Sequence, residues 1–268
     1  MSSLKTRVLV SVVGVPVLLW VVLLAPEIVI VAALAALAGI GAVELQQCVS
    51  NTKKGEIVGM SGICGVFTVV WCYLRPAHVS ALLVLEVVIF FGYAIFKAGE
   101  VKFAQTMAGC FGSFAIGCSF GSFLRILDMG FPRGWLLLPF VLSFACDTFA
   151  YFVGCTMGKH KLAPKVSPKK SVEGSIGGLA GNVLCGCLFA FVMNRWFGES
   201  IGYGTMVILA LLCGVVAQIG DLSFSLIKRE FGIKDYGKLF LAHGGVLDRF
   251  DSVLFVAPVI EIVLNLVK

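Results

Sequence analysis

Residues 203–220 read YGTMVILALLCGVVAQIG, an apolar run without a charged side chain that ends directly before Asp221. A run of about 20 apolar residues is what an α-helix needs to cross the hydrocarbon core of a bilayer. Similar runs recur along the chain, which is 59% hydrophobic and 13% charged and has a mean hydropathy of +1.00. Soluble domains carry about 25% charged residues, so this composition indicates a membrane protein.

The apolar runs predict nine membrane-spanning helices. They are continuous rather than short and alternating, which indicates helices and not a β-barrel. We therefore expect an all-α, polytopic transmembrane bundle of about nine spans. It would be a single domain over 1–268, with N-terminal helices in 1–130 and catalytic helices and loops in 131–268. The predicted spans are 8–25, 28–46, 57–74, 79–96, 104–126, 135–157, 176–194, 203–220 and 252–267.

The distribution of basic residues predicts a cytoplasmic N-terminus. In that orientation the cytoplasmic segments hold 16 of the 21 lysine and arginine residues, as the positive-inside rule requires. The two largest polar loops, 158–175 and 221–251, then face the cytoplasm, where nucleotides are available.

The positions of the cysteines and glycines indicate roles in helix packing rather than in a functional site. Most of the ten cysteines fall inside apolar runs and form no C-x-x-C pair, so we expect them to behave as small hydrophobic residues. Glycines repeat at intervals of three and four residues in and around the fifth and seventh spans, which predicts close helix approach. These glycines are Gly109, Gly112, Gly117, Gly121, Gly174, Gly177, Gly178 and Gly181.

An aspartate lies inside the sixth predicted span. Asp147 interrupts an apolar run, and ionisable residues in such positions are costly and usually mark a functional site. Tyr151 follows four residues later and shares its helix face, so we expect both residues at a substrate-binding site. The alternative is a structural pair between Asp147 and a lysine of the next loop.

Five lysines lie within residues 159–170. Two prolines restrict the backbone of this loop, and it leads into a helix, so a shaped phosphate-binding loop is favoured over a polybasic patch on anionic headgroups. Ser171 is also expected to cap the seventh span. The candidate substrate-binding residues are Lys159, Ser167, Lys169 and Lys170.

The charged segment 221–251 supplies the candidate metal ligands. Asp221 lies at the end of the eighth span, and Asp248 and Asp251 lie three residues apart at the start of the ninth. Carboxylate oxygens from two helix ends are the ligands that Mg²⁺ takes when it also holds phosphates. We therefore predict Asp221, Asp248 and Asp251 as metal ligands, with Asp147 as a further one.

The same segment supplies candidate phosphate-binding groups. Ser225 and Lys228 fall on the helix face of Asp221 at i+4 and i+7, and a turn at Gly244 and Gly245 would present backbone N–H groups to an anion. Ordinary surface salt bridges, each worth about 0.5 kcal/mol, are the alternative. The remaining basic candidates are Arg229, Lys234 and Arg249.

The polar segments between residues 143 and 252 share a set of motifs. They are D-x-x-A-Y-x-x-G at 147–154, S-P-K-K-S-x-E-G at 167–174, S-x-I-K-R-x-x-x-x-K-D-x-G at 225–237 and H-G-G-V-x-D-R-F-D at 243–251. Together they resemble the signature of the phosphatidate cytidylyltransferases, also called CDP-diglyceride synthases. The N-terminal half resembles this family mainly as a set of spans. Leu241 departs from the pattern, since the family usually has proline two residues before its histidine.

The resemblance implies transfer of CMP from CTP to phosphatidic acid, giving CDP-diacylglycerol and pyrophosphate in phospholipid synthesis. It implies Mg²⁺ as cofactor, with a second cation such as K⁺ bridged by the same carboxylates. It also implies an inner-membrane location, contact with bilayer lipid, no nucleic-acid partner and, at the family level, a homodimer. The catalytic residues would be Lys228, Arg229, His243 and Asp248, with His243 orienting a phosphate or donating a hydrogen bond.

Two other function classes fit parts of this sequence. A CTP-dependent lipid kinase of the polyprenol type resembles the same family and would leave a phosphorylated alcohol and CDP. An ion-coupled transporter could use Asp147 in an ion path, but the charge here lies at one membrane face rather than at broken helices near the midplane.

Overall fold

The computed structural model describes residues 3–52, 55–239 and 244–267. These residues are mostly helical, as the apolar runs predict. The N-terminal half contains α1 (Ser3–Leu23), α2 (Glu27–Ser50), α3 (Glu56–Leu74), α4 (Val79–Phe96), α5 (Phe103–Phe111) and α6 (Gly117–Asp128). The C-terminal half contains α7 (Leu138–Met157), α8 (Val172–Trp196), α9 (Tyr203–Glu230) and α10 (Leu247–Val267). A π-helical turn at Gly112–Ile116 joins α5 to α6.

Seven segments are helical, long enough and apolar enough to cross a membrane. Each of the nine predicted spans coincides with a helix, but within the described residues α1 and α10 are not among the seven. Within the part of α1 whose side chains are described, the apolar helix is Val12–Leu23, and α10 carries charged side chains in its first two turns. The prediction of an all-α polytopic membrane protein is confirmed.

The chain divides into two compact units. The first comprises Met1–Met129 and Glu230–Phe250, and the second comprises Gly130–Arg229 and Asp251–Lys268. The predicted division at 130/131 lies next to the observed one, but the segment 230–250 groups with the N-terminal helices. The first turn of α10 therefore belongs to the first unit and the rest of that helix to the second. The single-domain assignment stays a prediction.

Glycines bring the helices of the first unit close together. A Cβ atom on Gly65 of α3 would lie 3.0 Å from the carbonyl oxygen of Ala38 on α2, so these two helices pack with their backbones in near contact. Such contact supplies van der Waals attraction where the bilayer provides no hydrophobic driving force. Four glycines of the predicted packing set also have little or no room for a side chain: Gly109, Gly112, Gly117 and Gly121.

In the second unit, glycines likewise let the backbones of α7 and α8 pack closely. A Cβ atom on Gly178 would lie 2.9 Å from the carbonyl oxygen of Cys146, and one on Gly174 would lie 2.7 Å from that of Ala150. The predicted packing role of the glycines is confirmed in both units. The remaining predicted positions of this unit, Gly177 and Gly181, are covered by Val153 and Phe149.

The lysine-rich loop is an antiparallel hairpin between α7 and α8. Its strands are β1 (Lys161–Ala163) and β2 (Ser167–Ser171), with Lys161 opposite Ser171. The hydroxyl of Ser171 accepts a hydrogen bond from the N–H of Gly174 at 3.1 Å and caps α8. Both the shaped loop and the helix cap are therefore confirmed.

The cysteines pack among the helices, as predicted. None of the ten, all of which lie in the described residues, forms a disulfide, and nine of them are buried or half-buried. Cys155 on α7 is the exposed one. These thiols therefore fill space and do not cross-link the chain.

A buried glutamate joins three elements of the first unit. Glu86 of α4 is 1% exposed. It accepts hydrogen bonds from the hydroxyl of Thr68 on α3 and from that of Ser113 in the π-helical turn, each at 2.5 Å. Since hydrocarbon offers no hydrogen-bonding partner, these hydroxyls satisfy the carboxyl group inside the helix bundle.

We expect Glu86→Ala to lower the free energy of unfolding in detergent by about 1–3 kcal/mol, because it removes two buried hydrogen bonds and leaves a cavity. Glu86→Gln should cost less, since its amide accepts from one hydroxyl and donates to the other. Thermal unfolding followed by circular dichroism measures both changes. The exposed Glu100→Gln is the control, and an alanine variant as stable as this control would contradict the bridging role.

Candidate active site

Three aspartates on three helices interact in the second unit. Asp147 lies on α7, Asp221 on α9 and Asp251 near the start of α10. Burial raises the pKa of Asp251 to about 8, and the negative charges of Asp221 and Asp147 contribute to that rise. Asp251 therefore lies within electrostatic range of both Asp221 and Asp147, although Asp147 and Asp251 are 104 residues apart in the chain.

We call Asp147, Asp221 and Asp251 the aspartate cluster. Close packing of the helix backbones positions its members. A Cβ atom on Gly220 would lie 2.7 Å from the carbonyl oxygen of Asp251, so the missing side chain lets α9 approach α10 next to Asp221. From α10, the buried hydroxyl of Ser252 donates to Asp147 Oδ2 at 3.3 Å and links that helix to α7. Neither Gly220 nor Ser252 was among the predicted site residues.

Two lysines lie beside the aspartate cluster. Lys170 of β2 forms an ion pair with Asp221 Oδ2, and Lys228 of α9, which is only 8% exposed, opposes the rise in the pKa of Asp251 through its positive charge. The hydroxyl of Ser225 donates to Asp221 Oδ1 at 3.2 Å. Asp221, Ser225 and Lys228 thus occupy one region of α9, as their spacing predicts, and the hairpin lysine pairs with Asp221.

A glutamate that the sequence predictions left unassigned holds the hairpin at its base. Glu173 accepts hydrogen bonds from the backbone N–H groups of Lys159 at 3.0 Å and His160 at 3.2 Å. Its other oxygen lies 2.5 Å from Nδ1 of His160. From α9, Nε of Arg229 donates to the carbonyl oxygen of Val166 at 3.3 Å. The hairpin is therefore fixed at its base and at its turn.

The other predicted residues of the second unit lie at its surface. Tyr151 is 67% exposed, and its ring packs edge-on against Phe152 at a centroid distance of 5.7 Å. Lys159 and Lys169 are exposed, and Ser167 is half-buried. Their assignment to substrate binding stays a prediction.

The predicted residues of the first unit surround the start of α10. Asp248 Oδ2 accepts hydrogen bonds from the backbone N–H groups of Tyr236 at 2.8 Å and Gly245 at 2.9 Å. Gly244 has φ +85°, and a Cβ atom there would lie 2.7 Å from the Asp248 carboxylate, so this turn requires glycine. The prediction of an open, anion-binding turn is wrong at Gly245, because the buried N–H of this residue already donates to the Asp248 carboxylate.

Four further predicted positions lie at the surface or outside the described residues. Lys234 and Arg249 are exposed. His243 and Leu241 lie outside the described residues. The roles predicted for Lys234, Arg249 and His243 stay predictions, as does the effect of leucine at 241.

Glu44 has no role among the sequence predictions, yet it is one of the best-connected carboxylates of the first unit. It lies on α2 and is 5% exposed. Its two oxygens accept hydrogen bonds from the backbone N–H groups of Val246 at 3.0 Å and Leu247 at 2.9 Å. The available signal was its position inside the apolar run 28–46, where an ionisable residue is unexpected.

The donor atoms of the aspartate cluster are of the kind that a divalent cation prefers. Hard carboxylate oxygens are what Mg²⁺ prefers, together with phosphates and water. Within the part of the chain that the structure describes, no three His, Cys, Asp or Glu side chains already stand in a metal-binding arrangement, and Asp221 Oδ2 is paired with Lys170. A bound cation would oppose the burial and the aspartate repulsion that together raise the pKa of Asp251.

Comparison with known proteins adds the decisive observation. The sequence pattern of the cytidylyltransferase family matches residues 5–267. The chain belongs to this family. The match includes both compact units, so the aspartate cluster, the hairpin and the start of α10 all fall within the family's sequence pattern.

Individual relatives carry a more specific name. The chain is 29% identical over 279 residues to the phosphatidate cytidylyltransferase of Bacillus subtilis (strain 168), covering 99% of each protein. It is 33% identical over 193 residues to that of Staphylococcus epidermidis, covering 72% of this chain and 71% of the relative. Over 130 residues, 48% of each protein, it is 42% identical to that of Staphylococcus saprophyticus.

We expect Glu173→Ala to increase tryptic cleavage at the hairpin lysines by about tenfold, because it removes acceptors for two backbone N–H groups and for His160. Cleavage sites and rates can be measured by mass spectrometry on the purified protein. Glu100→Ala is the matched control, since Glu100 is exposed and lies in the first unit. Cleavage of the Glu173 variant at the control rate would contradict the anchoring role.

Proposed function

We propose that this protein transfers CMP from CTP to phosphatidic acid, forming CDP-diacylglycerol and releasing pyrophosphate. The observation that carries the proposal is the aspartate cluster flanked by Lys170 and Lys228. It lies in a chain of the cytidylyltransferase family whose relatives are named phosphatidate cytidylyltransferase. The aspartates and the two flanking lysines bring carboxylates and ammonium groups together, which is the combination that a cation-assisted reaction of phosphates needs.

The proposed reaction brings two anions together, so positioning and charge neutralisation carry the catalysis. An oxygen of the lipid phosphate attacks the α-phosphorus of CTP. The new P–O bond forms as the bond to the bridging oxygen breaks, and pyrophosphate leaves with that electron pair. Because the attacking phosphate is already ionised near neutral pH, the site does not require a strong general base.

We assign phosphate binding to Lys228, Arg229 and the hairpin lysines. Lys228 is only 8% exposed, and a charge removed from water interacts more strongly with a bound anion than an exposed one does. Arg229 neighbours it on α9 and offers a planar guanidinium. Lys170 would exchange its contact with Asp221 for a substrate phosphate when the aspartates are neutralised.

Asp221 and Asp251, with Asp147 as a further ligand, would hold Mg²⁺ in this proposal. When bound, Mg²⁺ would neutralise the nucleotide phosphates and polarise the attacked phosphoryl group. A second cation such as K⁺ stays a prediction. Asp248 was also predicted as a ligand and as a catalytic residue, but because its Oδ2 accepts two backbone N–H groups, we propose that it positions the start of α10.

The protein is a multi-pass membrane protein. We propose that it lies in the inner membrane with the lysine hairpin and the aspartate cluster at the cytoplasmic face, on the strength of the basic-residue distribution. The homodimer implied by the family resemblance is also a proposal. Single-molecule photometry of the protein in nanodiscs would distinguish one copy from two.

Purified protein with phosphatidic acid, Mg²⁺ and CTP labelled in the cytosine ring should yield labelled lipid and free pyrophosphate. With CTP labelled in the γ-phosphate, the lipid should stay unlabelled, because the β- and γ-phosphates leave together. In a parallel reaction with a polyprenol in place of phosphatidic acid, label entering the lipid only from the γ-phosphate would instead identify the lipid kinase. Ion flux without nucleotide turnover would identify the transporter.

We expect Asp221→Asn and Asp251→Asn each to lower kcat by about 10²-fold or more, since each removes a negatively charged ligand for the cation that would neutralise and orient the reacting phosphates. Both variants should also need a higher Mg²⁺ concentration for half-maximal activity. The control is Glu100→Gln, whose exposed side chain lies in the other unit. Full activity of either asparagine variant at the same Mg²⁺ concentration would overturn the assignment of the cluster.

A further inference from the structure

We infer that Glu44 is a positioning residue that acts as a built-in anion at the N-terminus of α10, closing the Gly244–Gly245 turn against α2. The inference deepens the proposed function, on which it rests for its kinetic readout. It concerns where the first turn of α10, with Asp248 and Arg249, is held during the reaction.

The location of Glu44 makes its carboxylate energetically costly. The side chain lies in the apolar helix α2 and is 5% exposed. Placing a carboxylate there costs several kcal/mol unless it is fully satisfied by hydrogen bonds or charges. An isosteric apolar residue would avoid this cost, so the carboxylate must do something that leucine or methionine does not.

The partners of Glu44 show what it does. Oε1 accepts the N–H of Val246 and Oε2 accepts the N–H of Leu247, at 3.0 and 2.9 Å. Because α10 begins at Leu247, these are N–H groups that no helical carbonyl can satisfy. They also carry the partial positive charge of the helix dipole, which stabilises an anion. Glu44 therefore occupies the place where helices of other proteins bind phosphate.

Backbone N–H groups next to those bound by Glu44 also donate to a carboxylate of the protein. The N–H of Gly245 donates to Asp248 Oδ2 at 2.9 Å, and so does that of Tyr236 at 2.8 Å. Three consecutive N–H groups, those of residues 245, 246 and 247, thus donate to carboxylates of the protein itself. The N–H groups of residues 245–247 are consequently occupied within the protein, and this part of the turn is a closed structural element.

The glycines around Glu44 leave no space for a side chain. A Cβ atom on either Gly237 or Gly245 would overlap the carboxylate of Glu44, and one on Gly237 would lie 3.1 Å from the Cα atom of Gly245. The two described ends of the segment 237–245 are therefore held together around one carboxylate. On α2, Gly41 lies three residues before Glu44 and leaves room for the side chain of Leu247, which would be 3.2 Å from a Cβ atom there.

The test compares Glu44→Gln with Glu44→Ala in the purified, lipid-reconstituted protein. Glutamine keeps the size of the side chain but turns one acceptor into a donor that faces a backbone N–H. We expect its kcat to fall by about tenfold or more, with the KM for CTP changed by less than about threefold, because a misplaced first turn impairs the reaction more than nucleotide capture. In Glu44→Ala, formate should restore part of the lost kcat, and chloride at equal ionic strength should not.

Glu86→Gln is the matched control, since Glu86 is another buried carboxyl group of the first unit and contacts the hydroxyls of Thr68 and Ser113. Its kcat should stay within about twofold of the parent value. A readout without turnover is tryptic cleavage after Lys234 and Lys238, both exposed, which should rise severalfold in Glu44→Gln and not in Glu86→Gln.

The two readouts separate the inference from the proposed function. If the parent protein does not form CDP-diacylglycerol but cleavage rises in Glu44→Gln, the proposed function fails and the closing role of Glu44 stands. Parent-like kcat and parent-like cleavage in Glu44→Gln would overturn the inference. Equal loss of kcat in Glu44→Gln and Glu86→Gln would also overturn it, because the effect would then be a general consequence of altering a buried carboxyl group.

Discussion

The apolar surroundings of these helices oblige every buried carboxylate to find its hydrogen-bond partners within the protein. Glu86 receives them from the hydroxyls of Thr68 and Ser113, and Glu44 from two backbone N–H groups at the start of α10. Each contact joins elements that are distant in sequence. Charged groups therefore act as connection points between helices whose other contacts are non-directional, and they fix the helix positions more narrowly than apolar packing does.

The carboxylates reach their partners because glycines let backbones approach. Gly220 has no room for a Cβ atom beside the carbonyl oxygen of Asp251, and Gly245 has none beside Glu44. The glycines next to the acidic residues thus have the same physical role as those between α7 and α8. A larger residue at any of these positions would separate the helices and, with them, the charged side chains that they carry.

Much of this could be predicted from sequence, since it depends on local composition. The apolar runs predict the helices, the spacing of Asp221, Ser225 and Lys228 predicts their common region on α9, and Ser171 predicts the cap of α8. The Gly244–Gly245 turn shows the limit. Its glycines were correctly associated with a special backbone, but whether its N–H groups are open or occupied depends on Glu44 and Asp248. Glu44 lies about 200 residues earlier in the chain, and the spacing within the motif contains no information about it.

The sequence by itself determined that this is a helical membrane protein of the cytidylyltransferase type, because hydrophobicity and motif residues are properties of short segments. Only the tertiary structure decided which carboxylates neighbour one another and which serve the backbone. It grouped Asp147, Asp221 and Asp251 with Lys170 and Lys228, and it gave Glu44 and Asp248 to the start of α10. The physical reason is that burial and hydrogen bonding depend on helices far apart in the chain, and that an unpaired polar group is costly in hydrocarbon.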